Sequence, residues 1–202
     1  MTKIKICGLT SVEEAKAANT ARPDFVGIVF DRGRHFVSDE MAAAIRRQLF
    51  SEIPVVGVFS NDDPRHIINL VHVGTIQYVQ LHGEESEAYL QALKKEVSVP
   101  CIRVVSVKTG EEVVKAEKTA AEFLLLDNGR GGTGRAFDWT RIPTLKKPWF
   151  LAGGIGLSNI EEALFYHPYA VDISTGAETD GRKDPEKMRK LVEIVRKEAN
   201  QF

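Results

Sequence analysis

KIKICGLTSVEEAKAANT, residues 3–20, contains the unit from which the rest of the chain is assembled. KIKICG (3–8) alternates β-branched apolar residues with polar ones and reads as a strand. SVEEAKAANT (11–20) has helical spacing and opens on Ser11 with Glu14 three residues on, a capping box. A strand joined by so short a link to a capped helix is half of a parallel crossover.

Working outward, further strands read at FVGIVF (25–30), PVVGVF (54–59), IQYVQL (76–81), CIRVVSV (101–107), FLLLD (123–127), WFLAGG (149–154) and AVDIS (170–174), which makes eight. Between them lie helical segments at 38–49, 63–73, 84–97, 110–121 and 158–167, and a last one at 184–200 closes the chain. Ser38, Asp63-Pro64 and Asp184-Pro185 supply helix starts. TRIPTL, after the sixth strand, is too short and Pro-broken for a full helix. Regular alternation requires parallel strands with right-handed crossovers, and eight units predict a single-domain (β/α)8 barrel over residues 1–202, near the minimum size for that fold. An open doubly wound sheet is the competitor, but the usual G-x-G-x-x-G after its first strand is absent.

The 27 basic and 28 acidic residues nearly cancel, so neither a nucleic-acid nor a membrane surface is indicated, and a small soluble substrate is the natural partner. MTKIKIC lacks the apolar stretch of a signal peptide, and no run approaches the ~20 apolar residues of a membrane span, so a cytoplasmic protein is expected. The oligomeric state is left open, leaning to a monomer. Cys7 and Cys101 are too few for a disulfide scaffold and have no metal-ligand spacing.

Barrels of this kind place chemistry at the carboxyl ends of their strands. Alternation puts Lys3, Lys5 and Cys7 on one face of the first strand, so with Ile4 and Ile6 against helices Cys7 points into the mouth. Taken alone, an isolated cysteine favours packing; just before a helix start, a thiol also gains from the positive end of the dipole. Asp127 ends the sixth strand after four apolar residues, a setting that suits a general acid, with a cap or a loop ion pair as the plain alternative. NGRGGTGRAFDW (128–139) reads as a ligand-facing loop. Gly153 and Gly154 after strand seven, with Ser174, Thr175 and Gly176 after strand eight, occupy the positions where barrels bind phosphate. His82 ends strand four and ranks as a substrate contact. Arg103 shares a face with Cys101 and Val105, and if that face is inward it is a buried cation able to hold a carboxylate.

KICGLT, VGVF (56–59), VQLHGEE (79–85), LLLD with GGTGRAFDW, LAGGI (151–155) with Ser158-Asn159, and VDISTGAE (171–178) followed by Asp180-Gly181 and Lys183-Asp184 together resemble the N-(5'-phosphoribosyl)anthranilate isomerase family. The likeness runs in order from residue 3 to about 190. It implies an intramolecular oxidoreductase of tryptophan biosynthesis that interconverts aldose and ketose forms of a phosphosugar by an Amadori rearrangement, without cofactor or metal. It also implies Cys7 as general base and Asp127 as general acid, with Asp172 facing the substrate or Lys5. The family usually has Ser-x-Arg after strand two, its arginine facing the anthranilate carboxylate, whereas this chain has Gly33-Arg34-His35. Either Arg34 takes the carboxylate through a shifted loop or His35 does so with weaker geometry. Another phosphosugar isomerase or synthase, or a noncatalytic phosphate-ligand binder, are the remaining readings.

Overall fold

Eight short, largely apolar strands pair edge to edge in chain order and close on themselves: β1 (Lys3–Cys7), β2 (Phe25–Val29), β3 (Val55–Phe59), β4 (Tyr78–Leu81), β5 (Cys101–Ser106), β6 (Phe123–Asp127), β7 (Trp149–Leu151) and β8 (Ala170–Ile173). The structure, a computed structural model, describes residues 1–128 and 137–198. All barrel pairings are parallel, and β8 closes on β1 with Lys5 opposite Asp172. The crossovers carry α1 (Val12–Ala21), α2 (Asp39–Gln48), α3 (Pro64–His72), α4 (Glu87–Glu96), α5 (Gly110–Ala116) and α6 (Ile160–Phe165), with α7 (Pro185–Glu198) last. After β6 the described chain forms only a 3₁₀ turn, Trp139–Arg141, where TRIPTL left no room for a helix. Among the described residues, no helix is long and apolar enough to cross a membrane.

Most helix starts are side-chain caps, α6 being an exception. Ser38 accepts from Met41 N–H, Asp63 from Arg65 N–H, Ser86 from Tyr89 N–H, and Asp184 from Glu186 and Lys187 N–H. Ser11 accepts from Glu14 N–H, but the Glu14 carboxylate does not complete the expected box; it takes Thr10 N–H at 2.6 Å and Lys183 N–H at 2.9 Å. α5 stops earlier than its apolar spacing suggested because Glu87 captures Ala120 N–H at 2.6 Å and the Thr119 hydroxyl at 2.8 Å. The β8 connection also differs from the pattern: before α7 it folds a small hairpin, β9 (Glu178–Thr179) with β10 (Arg182–Lys183).

Strand alternation divides the core in two. Ile4, Ile6, Val26, Ile28, Val55, Val79 and Leu151 face the helices. Phe25, Val56, Ile102, Leu125, Phe150 and Ala170 fill the barrel interior. The amino-terminal end is plugged by rings: Phe25 and Phe150 lie 5.7 Å apart, Phe123 and Tyr169 4.9 Å, and the Lys3 ammonium sits 4.9 Å over the Tyr169 ring. A floor so filled leaves the opposite end as the open one. Phe150 is fully buried in this plug, so Phe150→Ala is expected to cost about 3–5 kcal/mol in urea unfolding, with little change in ligand affinity at the other end.

Candidate active site

The open end holds a cavity of about 280 Å³. Cys7 from β1, Asp127 from β6, Asp172 from β8 and His82 from the end of β4 converge on it, together with Arg34 and His35 from the loop after β2. Gly153 and Gly154 after β7, and Ser174 and Thr175 after β8, also line it.

Cys7 owes its position to a missing side chain. It pairs with Gly27, and a Cβ at 27 would stand 2.5 Å from the Cys7 sulfur. Burial pushes the thiol pKa up, an effect that Lys5 and Lys183 oppose and Asp172 reinforces. Asp127 is nine-tenths buried, with Oδ1 accepting Asn128 N–H at 2.7 Å and Oδ2 lying 3.7 Å from His82 Nε2. Glu85, itself buried, ties together the loops flanking His82 by accepting Asn61 N–H at 2.7 Å and Gly83 N–H at 3.1 Å.

Lys5 is completely buried and donates to Gln80 Oε1 at 2.8 Å and Asp172 Oδ2 at 2.9 Å. Alternation had pointed Lys5 inward; it gave Gln80 no role, although period two from His82 reaches it. The other oxygen of Asp172, Oδ1, is buried without a hydrogen-bond partner among the described residues.

On the β2 side, Glu178 organises the rim. Its carboxylate accepts from Arg34 Nη2 at 2.7 Å, His35 Nε2 at 2.8 Å and Lys183 Nζ at 2.5 Å. Burial raises the Glu178 pKa, but Lys183, His35 and Arg34 outweigh it and leave the carboxyl below its ordinary value. His35 is shifted down by burial and by Lys183, so its ring is neutral near pH 7 and meets Glu178 as a hydrogen-bond donor through Nε2–H rather than as an ion. It packs over Gly8, whereas the Arg34 side chain is 55% exposed. Glu178 and Lys183 stand in quoted motifs, yet nothing in one sequence reveals that a two-residue strand would carry them back to the loop after β2.

Three expectations change. Arg103 faces outward, because Ile102 and Val104 fill the barrel interior while Cys101 and Val105 pack against helices. It lines a surface cleft beside Glu87 and does not reach the cavity. Gly176 does not line the cavity either: a Cβ there would strike Ile155 O and stand 2.7 Å from Gly156 Cα, so its role is to let the loops after β7 and β8 touch. No helix directly follows β8 to point its amino end at an anion, and Asn159 instead braces the β7 loop by accepting Gly156 N–H at 2.9 Å and donating to Gly154 O at 3.1 Å. In the glycine-rich stretch, residues 129–136 lie outside the described residues.

Fold and cavity together define a (β/α)8-barrel protein with a polar site at the carboxyl ends of its strands, the layout of barrel enzymes. The family model for N-(5'phosphoribosyl)anthranilate (PRA) isomerase matches residues 4–194. An N-(5'-phosphoribosyl)anthranilate isomerase of Endomicrobium trichonymphae is 40% identical over 201 residues, covering 97% of this chain and 99% of that one. The crystal structure of phosphoribosyl anthranilate isomerase from Thermus thermophilus superposes with a TM-score of 0.88 at 31% identity, covering 97% of this chain and 99% of that one. A phosphoribosyl anthranilate isomerase structure in complex with reduced 1-(o-carboxyphenylamino)-1-deoxyribulose 5-phosphate superposes at 0.82 with 28% identity, covering 98% and 100%. The chain belongs to the N-(5'-phosphoribosyl)anthranilate isomerase family.

Breaking the Glu178 cluster leaves Lys183, whose side chain is 1% exposed, without its carboxylate. Glu178→Gln is therefore expected to lower the unfolding free energy by about 3 kcal/mol at neutral pH. Because the folded pKa of Glu178 is depressed, its contribution is present above the unfolded value of 4.5 and lost as pH falls through the folded one. Urea unfolding of the two proteins should thus converge in acid.

Proposed function

We propose that the chain converts N-(5'-phosphoribosyl)anthranilate to 1-(2-carboxyphenylamino)-1-deoxyribulose 5-phosphate, an Amadori rearrangement of tryptophan biosynthesis, by general acid/base catalysis in the cytoplasm. Family membership supports the reaction, and the meeting of Cys7, Asp127 and the glycine-bearing rim in one cavity is the observation that carries the mechanism.

The substrate has an anion at each end and a ring oxygen and C2' hydrogen between them. Gly153, Gly154, Ser174 and Thr175 would receive the phosphate, backbone N–H groups approaching closely where glycine leaves room. Arg34, with donors beyond the one given to Glu178, would receive the anthranilate carboxylate. Neutral His35, already committed to Glu178, then acts as the brace that holds the loop. Asp172, at the cavity wall, and His82, beside Asp127, would contact the sugar near the acid.

With both ends held, Asp127 gives its proton to the ring oxygen as the C1'–O bond breaks, leaving a protonated Schiff base. The Cys7 thiolate takes the C2' hydrogen as a proton. The C2'–H electron pair becomes the C1'=C2' bond and the iminium nitrogen recovers its lone pair. The enolamine then gains a proton at C1' from the Cys7 thiol while its C2' hydroxyl gives its proton up to the Asp127 carboxylate, which yields the ketone and restores both groups. C2' is oxidised by the amount C1' is reduced, so no external redox carrier is needed. Positioning and proton transfer are the catalytic means.

The test is consumption of fluorescent phosphoribosylanthranilate by purified protein; absence of turnover would reject the reading. Cys7→Ala and Asp127→Asn should each lower kcat by ~10²–10⁴-fold at nearly unchanged KM. Arg34→Ala should raise KM more than His35→Ala, and the reverse order would give the carboxylate to His35.

A further inference from the structure

The proposed mechanism requires Cys7 to carry a negative charge in a place where burial opposes one. Cys7 is 8% exposed, and Lys5, two residues earlier on the same face of β1, is 0% exposed. A lysine in a barrel interior costs side-chain entropy and desolvation, so each of its three donors has to be matched. Gln80 Oε1 and Asp172 Oδ2 take two of them, from β4 and β8. Cys7 stands next to Lys5 on the inward face of β1, two residues on, where the ammonium and a thiolate attract each other.

We infer that Lys5 is a positioning residue of the isomerisation: its ammonium, fixed by Asp172 and Gln80 under the thiol, is the countercharge that lets Cys7 exist as thiolate. The inference rests on Cys7 being the base of the proposed reaction. Lys5 is itself kept charged in this setting. Burial alone would lower its pKa, but Asp172 and Cys7 outweigh burial and leave it raised.

The groups that act on the thiol come from three strands. Lys5 on β1 and Lys183 on β10 favour the thiolate, and Asp172 on β8 disfavours it. The cavity is also lined by Asp127, His82, Asp31, Arg32, Arg34 and His35. Lys5 and Asp172 therefore act on Cys7 with opposite signs, though they are partners in one ion pair. A purely structural pair would not behave so: removing either member would disturb Cys7 in the same sense.

The experiment measures the rate of Cys7 alkylation by iodoacetamide against pH, read by mass spectrometry on full-length protein without substrate. Cys101 does not interfere, being fully buried with its thiol pushed up to about 12. Asp172→Asn keeps an oxygen for Lys5 and removes the opposing charge, so alkylation near neutrality should become faster than in the parent protein. Lys5→Met combined with Asp172→Asn removes the cation without stranding a buried carboxylate. It should react more slowly than the parent and on the order of tenfold more slowly than Asp172→Asn alone. Identical pH profiles in all three proteins, or slowing in both variants, would overturn the inference. If the double variant fails to fold, the Asp172→Asn arm decides alone, an unchanged or lower rate counting against. Since no turnover enters the measurement, its failure is distinct from failure of the proposed reaction, which the substrate assay reports.

Discussion

The pairing of β8 with β1, Lys3 opposite Ala170 through Ile6 opposite Ile173, joins two ends of the chain and turns a sheet into a barrel. Its register also decides which side chains enter the interior. A slip of one residue would turn Ile4 and Ile6 inward and send Lys5 and Cys7 among the helices. The Lys5–Asp172 ion pair, bridging partners 167 positions apart, makes such a slip costly because it would bury both charges without each other. Closure of this kind couples fold and site: the contact that seals the barrel is the one lying under the thiol.

The two ends of the barrel are built from different materials. The amino-terminal end is a plug of interlocked rings, apolar apart from the Lys3 ammonium and tyrosine hydroxyls. At the other end, the loops are fastened by buried carboxylates. Glu14 joins the loop before α1 to β10, Glu85 joins the loops after β3 and β4, and Glu178 joins the hairpin after β8 to the loop after β2. A carboxylate can accept several N–H groups at once, so one residue can bind two loops that lack ladder partners of their own. These anchors surround the cavity without occupying its centre.

Much of this was legible in the sequence. Eight short apolar runs with helical segments between them determine the barrel, and alternation from Cys7 along β1 is enough to direct the thiol and Lys5 inward. The same alternation grouped Arg103 with Cys101 and Val105 but left open which face is inward, for a physical reason: a parallel strand is buried on both faces, so apolar residues stand on each and neither announces the interior. Gly176 was legible as a glycine with a purpose but not as a point of contact between loops, since that purpose depends on Ile155 and Gly156 twenty residues earlier. The roles of Glu178 and Lys183 follow from a short hairpin that has no periodic signature, and they come into view only when the chain is folded.

Gly27 bears on how such a site can change over generations. The space its side chain would fill lies 2.5 Å from the Cys7 sulfur and 3.0 Å from the Cys7 Cα, so any larger residue at 27 displaces the thiol and crowds β1 beneath it. Positions 7 and 27 are thus sterically one unit. A lineage could exchange the group at 7 only for one that still nests over glycine, and drift at 27, however apolar the newcomer, would cost the cavity its thiol.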